Sequence, residues 1–137
     1  MSTSFHFRVH GERLAIARLA HGAGWPDWAR GRFVNFVRTP DELSIVCAEV
    51  HVPDDVVHER GKIALGIVGT VPMTTIGVLA ALCGALAEAR VPVFVISTYD
   101  TDWLLVSADK FGDARRALEG AGHRVEGELP AIVSSTG

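Results

Sequence analysis

The chain is poor in cysteine, in clustered basic charge and in recognisable catalytic signatures, and each shortage removes a class of protein. Its two cysteines, Cys47 in a strand-like run and Cys83 in a helix-like run, have neither metal-type spacing nor the density of a disulfide framework. Both read as buried free thiols of a reducing compartment, so the expected location is cytoplasmic. Lysine and arginine number 13 against 16 acidic residues, for a net charge of -3. The arginines are scattered, and nucleic acid is not expected as a partner because binding it needs a basic face. The stretch Met1-Ser2-Thr3-Ser4-Phe5-His6 lacks the basic region, apolar run and small-residue cleavage site of an export signal.

Catalytic and metal chemistry find little to work with. Neither Cys47 nor any serine sits in a nucleophile-elbow or Cys-His signature. Residues 66–77 lack the lysine and the spacing of a phosphate-binding loop. Of the six histidines, His6 and His10 would share a strand face but stand roughly 13 Å apart at strand rise, too far to clasp one ion. His51 and His58 flank Asp54 and Asp55, and solvated polar residues are the default reading there. The expectation is a protein that is not an enzyme, with no metal and no cofactor.

What is present is a globular composition, 48% apolar and 21% charged over 137 residues, which suits one domain or two very small ones. One stretch imitates a membrane span, because residues 63–87 carry no charge and are long enough to cross a bilayer. Gly66, Gly69, Thr70, Pro72, Thr74 and Thr75 interrupt it where a turn between a strand and a helix would put them. Lys62 and Arg90 lie one at each end, so no orienting bias exists. The better reading is a strand and a helix in one core, with no membrane partner.

Periodicity divides the chain into two halves. In the first, Phe5, Phe7 and Val9 alternate with His6, Arg8 and His10, the period of a half-buried strand over 4–10. Further strands are expected over 14–19, 33–38 and 43–50, the last two joined by Thr39-Pro40-Asp41-Glu42 as a hairpin. Residues 21–28 read as a loop or one short helical turn at Pro26, and 53–60 as no more than a helical turn opened by Pro53. The second half repeats strand, helix, strand twice between Ile63 and Val125, and its middle strands meet at the acidic turn Tyr99-Asp100-Thr101-Asp102. Its first strand is 63–69. Thr74 or Thr75 would cap a helix running to about Arg90, mostly covered, with Ile76, Leu79, Leu82, Cys83 and Leu86 as its apolar stripe. Strands over 93–97 and 103–107, an amphipathic helix over 111–121 stopped by Gly122, and a short strand at 123–125 complete a βαββαβ module.

The runs Arg38-Thr39-Pro40-Asp41-Glu42-Leu43-Ser44-Ile45-Val46-Cys47, Ile76-Gly77-Val78-Leu79-Ala80 and Ile96-Ser97-Thr98-Tyr99-Asp100-Thr101-Asp102-Trp103-Leu104-Leu105-Val106 resemble those of small bacterial ACT-domain proteins. Such proteins carry tandem ACT modules in one short chain, similar to half of the cytosolic arginine sensor of animals. The resemblance runs from about Leu14 to Val125. It implies an α+β fold of two ferredoxin-like modules, the first (1–60) irregular and helix-poor, the second (61–127) regular, with 128–137 as a flexible tail. It also implies a non-enzymatic regulatory or sensor protein holding an amino acid where two ACT modules meet, and a homodimer built by side-by-side association. The alternative is a ligand-free module that pairs with an unidentified protein target.

For the site, the resemblance brings forward Ser44, Ile45 and Val46 from the first module and Gly77, Val78, Thr98, Tyr99 and Asp102 from the second. The residue types suit that chemistry. A turn over 69–75 leads into a helix start, where unpaired amides and the positive end of the helix dipole favour a carboxylate. Asp102 offers a carboxylate to an α-ammonium or to a cationic side chain. Thr75 is a ligand contact or, more simply, the helix cap. Each position also has an ordinary role: Gly77 permits close packing, Asp100 and Asp102 make a polar turn, and Ser44 is a strand hydroxyl.

Overall fold

Alternating apolar residues in the first half and buried runs separated by helices in the second yield eight strands and two α-helices among residues 3–134, which this computed structural model describes. Met1, Ser2 and the last three residues of the expected tail lie outside the described residues. The fold is α+β, of the ferredoxin-like kind expected. Chain contacts divide it into two units, one formed by residues 3–10 with Ile63–Leu129 and the other by Gly11–Lys62 with residues 130–134.

The first-named unit contains β1 (His6–Val9), the second part of β5 (Val57–Ile67), α1 (Val78–Glu88), β6 (Phe94–Ser97), β7 (Asp102–Ser107), α2 (Phe111–Gly120) and β8 (Arg124–Glu126). Its strands lie in the order β6-β7-β5-β1-β8. The βαββαβ succession from β5 to β8 follows the sequence pattern. What local pattern does not reveal is the place of β1, inserted between β5 and β8: Phe7 pairs with Ile67 antiparallel and with Val125 parallel. Phe7, Ile63, Leu65, Leu104 and Val106 pack with Leu82 and Leu86 of α1 and with Phe111, Ala114 and Leu118 of α2 in one core. Burial of such side chains contributes about 1.5–3 kcal/mol each. Arg115 of α2 fastens β8, its guanidinium donating to the carbonyls of Val125 and Gly127, both at 2.9 Å.

The other unit is an antiparallel sheet in the order β3-β4-β2-β5, made of β2 (Leu14–Leu19), β3 (Asn35–Arg38), β4 (Leu43–Ala48) and the start of β5. No α-helix covers it among the described residues. Instead Ala23, Trp28 and Ala29 from the loop after β2, with Val52 and Val56, pack on Ala15, Ala17, Leu43, Ile45 and Cys47. Burial pushes the Cys47 thiol up.

Three local expectations are corrected. Residues 57–60 are strand rather than helical turn, because β2 supplies a pairing partner for a polar segment, Ala17 opposite His58 and Ile16 opposite Glu59. The ladder shifts register between Leu14 and Ile16. There Gly61, at φ 69°, donates its amide to the buried Glu49 carboxylate at 2.8 Å, and Arg60 donates to the carbonyls of Glu49 and Val52. Helix α1 begins at Val78, not at Thr74 or Thr75, since Gly77 adopts φ 82° and neither threonine caps it. Ile76 thus lies outside the apolar stripe and is 96% exposed. Cys83 is half-buried, not buried, and the outer face of α1, including Ala80, Ala81, Gly84 and Ala87, is open.

Candidate functional site

A cavity of about 440 Å³ lies between the segment leading into α1 and the β6–β7 hairpin. The hairpin is closed by Thr98, whose amide donates to the Thr101 carbonyl at 2.8 Å and whose hydroxyl accepts from the Thr101 amide at 3.2 Å. Two further bonds hold this turn against the strand-to-helix segment: the Val71 amide donates to the Asp100 carbonyl at 2.7 Å, and the Thr101 hydroxyl donates to the Ile67 carbonyl at 3.1 Å. One backbone bond and one hydroxyl bond thereby tie the two walls of the cavity together.

Its polarity is divided. On one wall, α1 starts without a side-chain cap and without an acidic residue in its first turn. The amides of Val78, Leu79 and Ala80 have no intrahelical acceptor there, by the geometry of any helix start, and the dipole adds positive potential. All three residues line the cavity. On the other wall, Asp102 stands opposite Ser97 in the β6–β7 ladder and accepts the Ser97 hydroxyl at 2.6 Å. That bond fixes the carboxylate while leaving acceptor capacity for another donor. Apolar lining comes from Val71, Met73, Val78 and Leu79, and Tyr99 stands at the rim. Met73 and Tyr99 are 74% and 83% exposed.

Six of the residues brought forward from the sequence therefore come together: Thr75, Gly77, Val78, Thr98, Tyr99 and Asp102 all line this cavity. Ser44, Ile45 and Val46 do not. They lie in β4 of the other unit, Ile45 and Val46 buried and Ser44 half-buried. The amide of Thr75 donates to the Pro72 carbonyl at 2.9 Å, so the residue belongs to a turn ahead of the helix. Sequence reasoning missed Val71, Met73, Leu79, Ser97 and Thr101. For Ser97 a signal existed: a four-residue loop at 98–101 sets residue 97 directly across from 102 in a hairpin.

A second cavity of about 360 Å³ lies beyond the segment 75–78 and includes Phe5, Ile76, Ala121 and His123. The His123 ring stacks on Phe5, its Nδ1 accepts the Phe5 amide at 3.0 Å, and burial pushes its pKa down. Among the described residues no group of three metal-ligating side chains occurs, and no helix is long and apolar enough to cross a membrane.

Comparison with known proteins places these observations. A family model described as an ACT domain matches residues 57–120, and a second model describing an N-terminal domain matches 12–55. A crystal structure of a protein from Agrobacterium tumefaciens is 30% identical, covers 96% of this chain and 100% of its own, and superposes with a TM-score of 0.86. A Vibrio cholerae protein of unknown function, described as a possible transport protein, is 19% identical over 86% of this chain and 90% of its own, with a TM-score of 0.68. The ligand-free regulatory subunit of aspartate kinase from Thermus thermophilus is 15% identical over 85% and 96%, with a TM-score of 0.61. At those two lower identities the likeness bears on the fold. No curated protein matches the chain.

Proposed function

Because the chain belongs to the ACT-domain family, we propose that it is a non-enzymatic regulatory protein that binds an amino acid in the cavity between the start of α1 and the β6–β7 hairpin. One observation carries the reading: the residues of the uncapped α1 start and Asp102 line the same cavity, which offers a zwitterion a complementary partner for each end. In this reading the protein works in the cytoplasm as a homodimer. Ligand binding alters the arrangement of modules or chains only by binding one arrangement more tightly than the other. The regulatory subunit of aspartate kinase, with the same fold, is a precedent for a regulatory role.

The test is a thermal-shift screen of the purified protein against the twenty amino acids, with light scattering for the oligomeric state. A specific ligand at a hundred times its Kd stabilises the folded state by about 2.7 kcal/mol. The rise is expected to vanish in Asp102→Ala. If no amino acid shifts a well-folded sample, the binding reading fails and a ligand-free module that pairs with another protein takes its place.

A further inference from the structure

We infer that the amino acid taken by this cavity has an uncharged, apolar side chain, an assignment that rests on the binding role proposed above. Charge matching leads there. Among the described residues lining the cavity, Asp102 is the one charged side chain. An amino acid brings one positive and one negative group before its side chain is considered. The start of α1 supplies the positive pole for the carboxylate and Asp102 supplies the acceptor for the ammonium, which uses both.

A lysine or arginine ligand adds a second cation to a cavity lined by no second carboxylate. If Asp102 instead received that side chain, the α-ammonium would be left without an anionic partner. An aspartate or glutamate ligand adds a second anion where no lysine, arginine or histidine lines the wall. A side-chain charge set against this lining gives up hydration and finds no partner there. The remaining surface instead matches an alkyl or aromatic group, since Val71, Met73, Val78, Leu79 and Tyr99 line it. Met73 and Tyr99 are largely exposed, so an apolar side chain gives them apolar surface to cover. The volume of about 440 Å³ falls within the roughly 300–1,000 Å³ usual for small-ligand pockets and leaves room for a branched or aromatic side chain.

The experiment is calorimetric titration of the full chain with leucine, methionine and phenylalanine, set against lysine, arginine, glutamate and glycine. At least one apolar amino acid is expected to bind ten times or more tightly than glycine and than each charged one. For leucine as ligand, isoamylamine and 4-methylpentanoate, which each keep only one end of the zwitterion, are expected to lose at least tenfold. Met73→Glu, at an exposed position that tolerates a charge, supplies a second carboxylate and should move the ratio of lysine to leucine affinity at least tenfold toward lysine. Tightest binding by lysine, arginine or glutamate would overturn the apolar assignment while leaving the amino-acid site intact. Binding by no amino acid would overturn the site itself, and the assignment with it. An unchanged ratio in Met73→Glu would overturn the placement of the ligand side chain beside Met73.

Discussion

Adding one methyl group at Gly66 is expected to destabilise the protein through a single aromatic ring. Gly66 lies within β5, opposite Arg8 of β1. A Cβ built there would stand 2.5, 2.6 and 2.7 Å from the Cζ3, Cε3 and Cη2 atoms of Trp103. Carbon atoms pack at about 3.5–4.0 Å, so the ring must retreat by roughly 1 Å. It is not free to swing, being half-buried on β7 with the His10 ring edge-on at 6.4 Å. Overpacking of this kind costs about 1–3 kcal/mol. Replacing glycine by alanine also removes freedom from the unfolded chain, worth about 0.4–1 kcal/mol in the opposite direction. The clash outweighs it, for a net loss of about 1–2 kcal/mol. Urea unfolding followed by circular dichroism reads this as a lower midpoint with an unchanged slope. In a double-mutant cycle, Gly66→Ala in a Trp103→Ala background should cost less than in the wild type, by about the size of the clash. A Gly66→Ala protein as stable as the wild type would refute the packing of Trp103 over this strand.

Arg115→Ala removes two charge-assisted bonds to the carbonyls of Val125 and Gly127, and a loss of about 1.5–3 kcal/mol in urea unfolding is expected. His123 has its folded pKa pushed below the usual value by burial, so the unfolded chain takes up the proton first. The neutral ring's contribution is complete above about pH 6.5 and declines as pH falls from there toward the folded pKa. Stability measured between pH 8 and 5 should fall on the acid side, and His123→Asn should flatten that part of the profile. Cys47 is buried with its thiol pushed up, so a thiol reagent should modify the half-buried Cys83 first and reach Cys47 only on unfolding, as mass spectrometry can follow.

The repeated strand–helix–strand pattern from Ile63 to Val125 was legible because each segment carries its own mark: a continuous apolar run over Ile63–Ile67 of β5, a spacing of three to four residues in α2, and an apolar run on each side of the acidic turn. The insertion of β1 between β5 and β8 was not, since register with distant strands leaves no local mark in four residues. Val57 to Arg60 read as a turn because polarity and Pro53 dominated, yet the pairing of Glu59 with Ile16 and of His58 with Ala17 makes the segment strand. At the site, Asp102, Thr98 and Tyr99 announced themselves as a turn, whereas Val71 meets the hairpin through a backbone bond that no periodicity encodes, and Met73 lines the same cavity. The sequence offers Gly77 as a ligand-site position or as a packing glycine. Its left-handed backbone also sets where α1 begins, and so which amides are left without an intrahelical acceptor.

The central claim is that one cavity holds both ends of an amino acid, and a titration of the isotopically labelled protein with leucine, methionine and phenylalanine in turn, followed by amide NMR, tests it most directly. The account predicts saturable shifts concentrated at Val78, Leu79 and Ala80 and at Ser97 and Asp102, and their loss in Asp102→Ala. Shifts absent from these residues, or confined to Ser44–Val46, would contradict it.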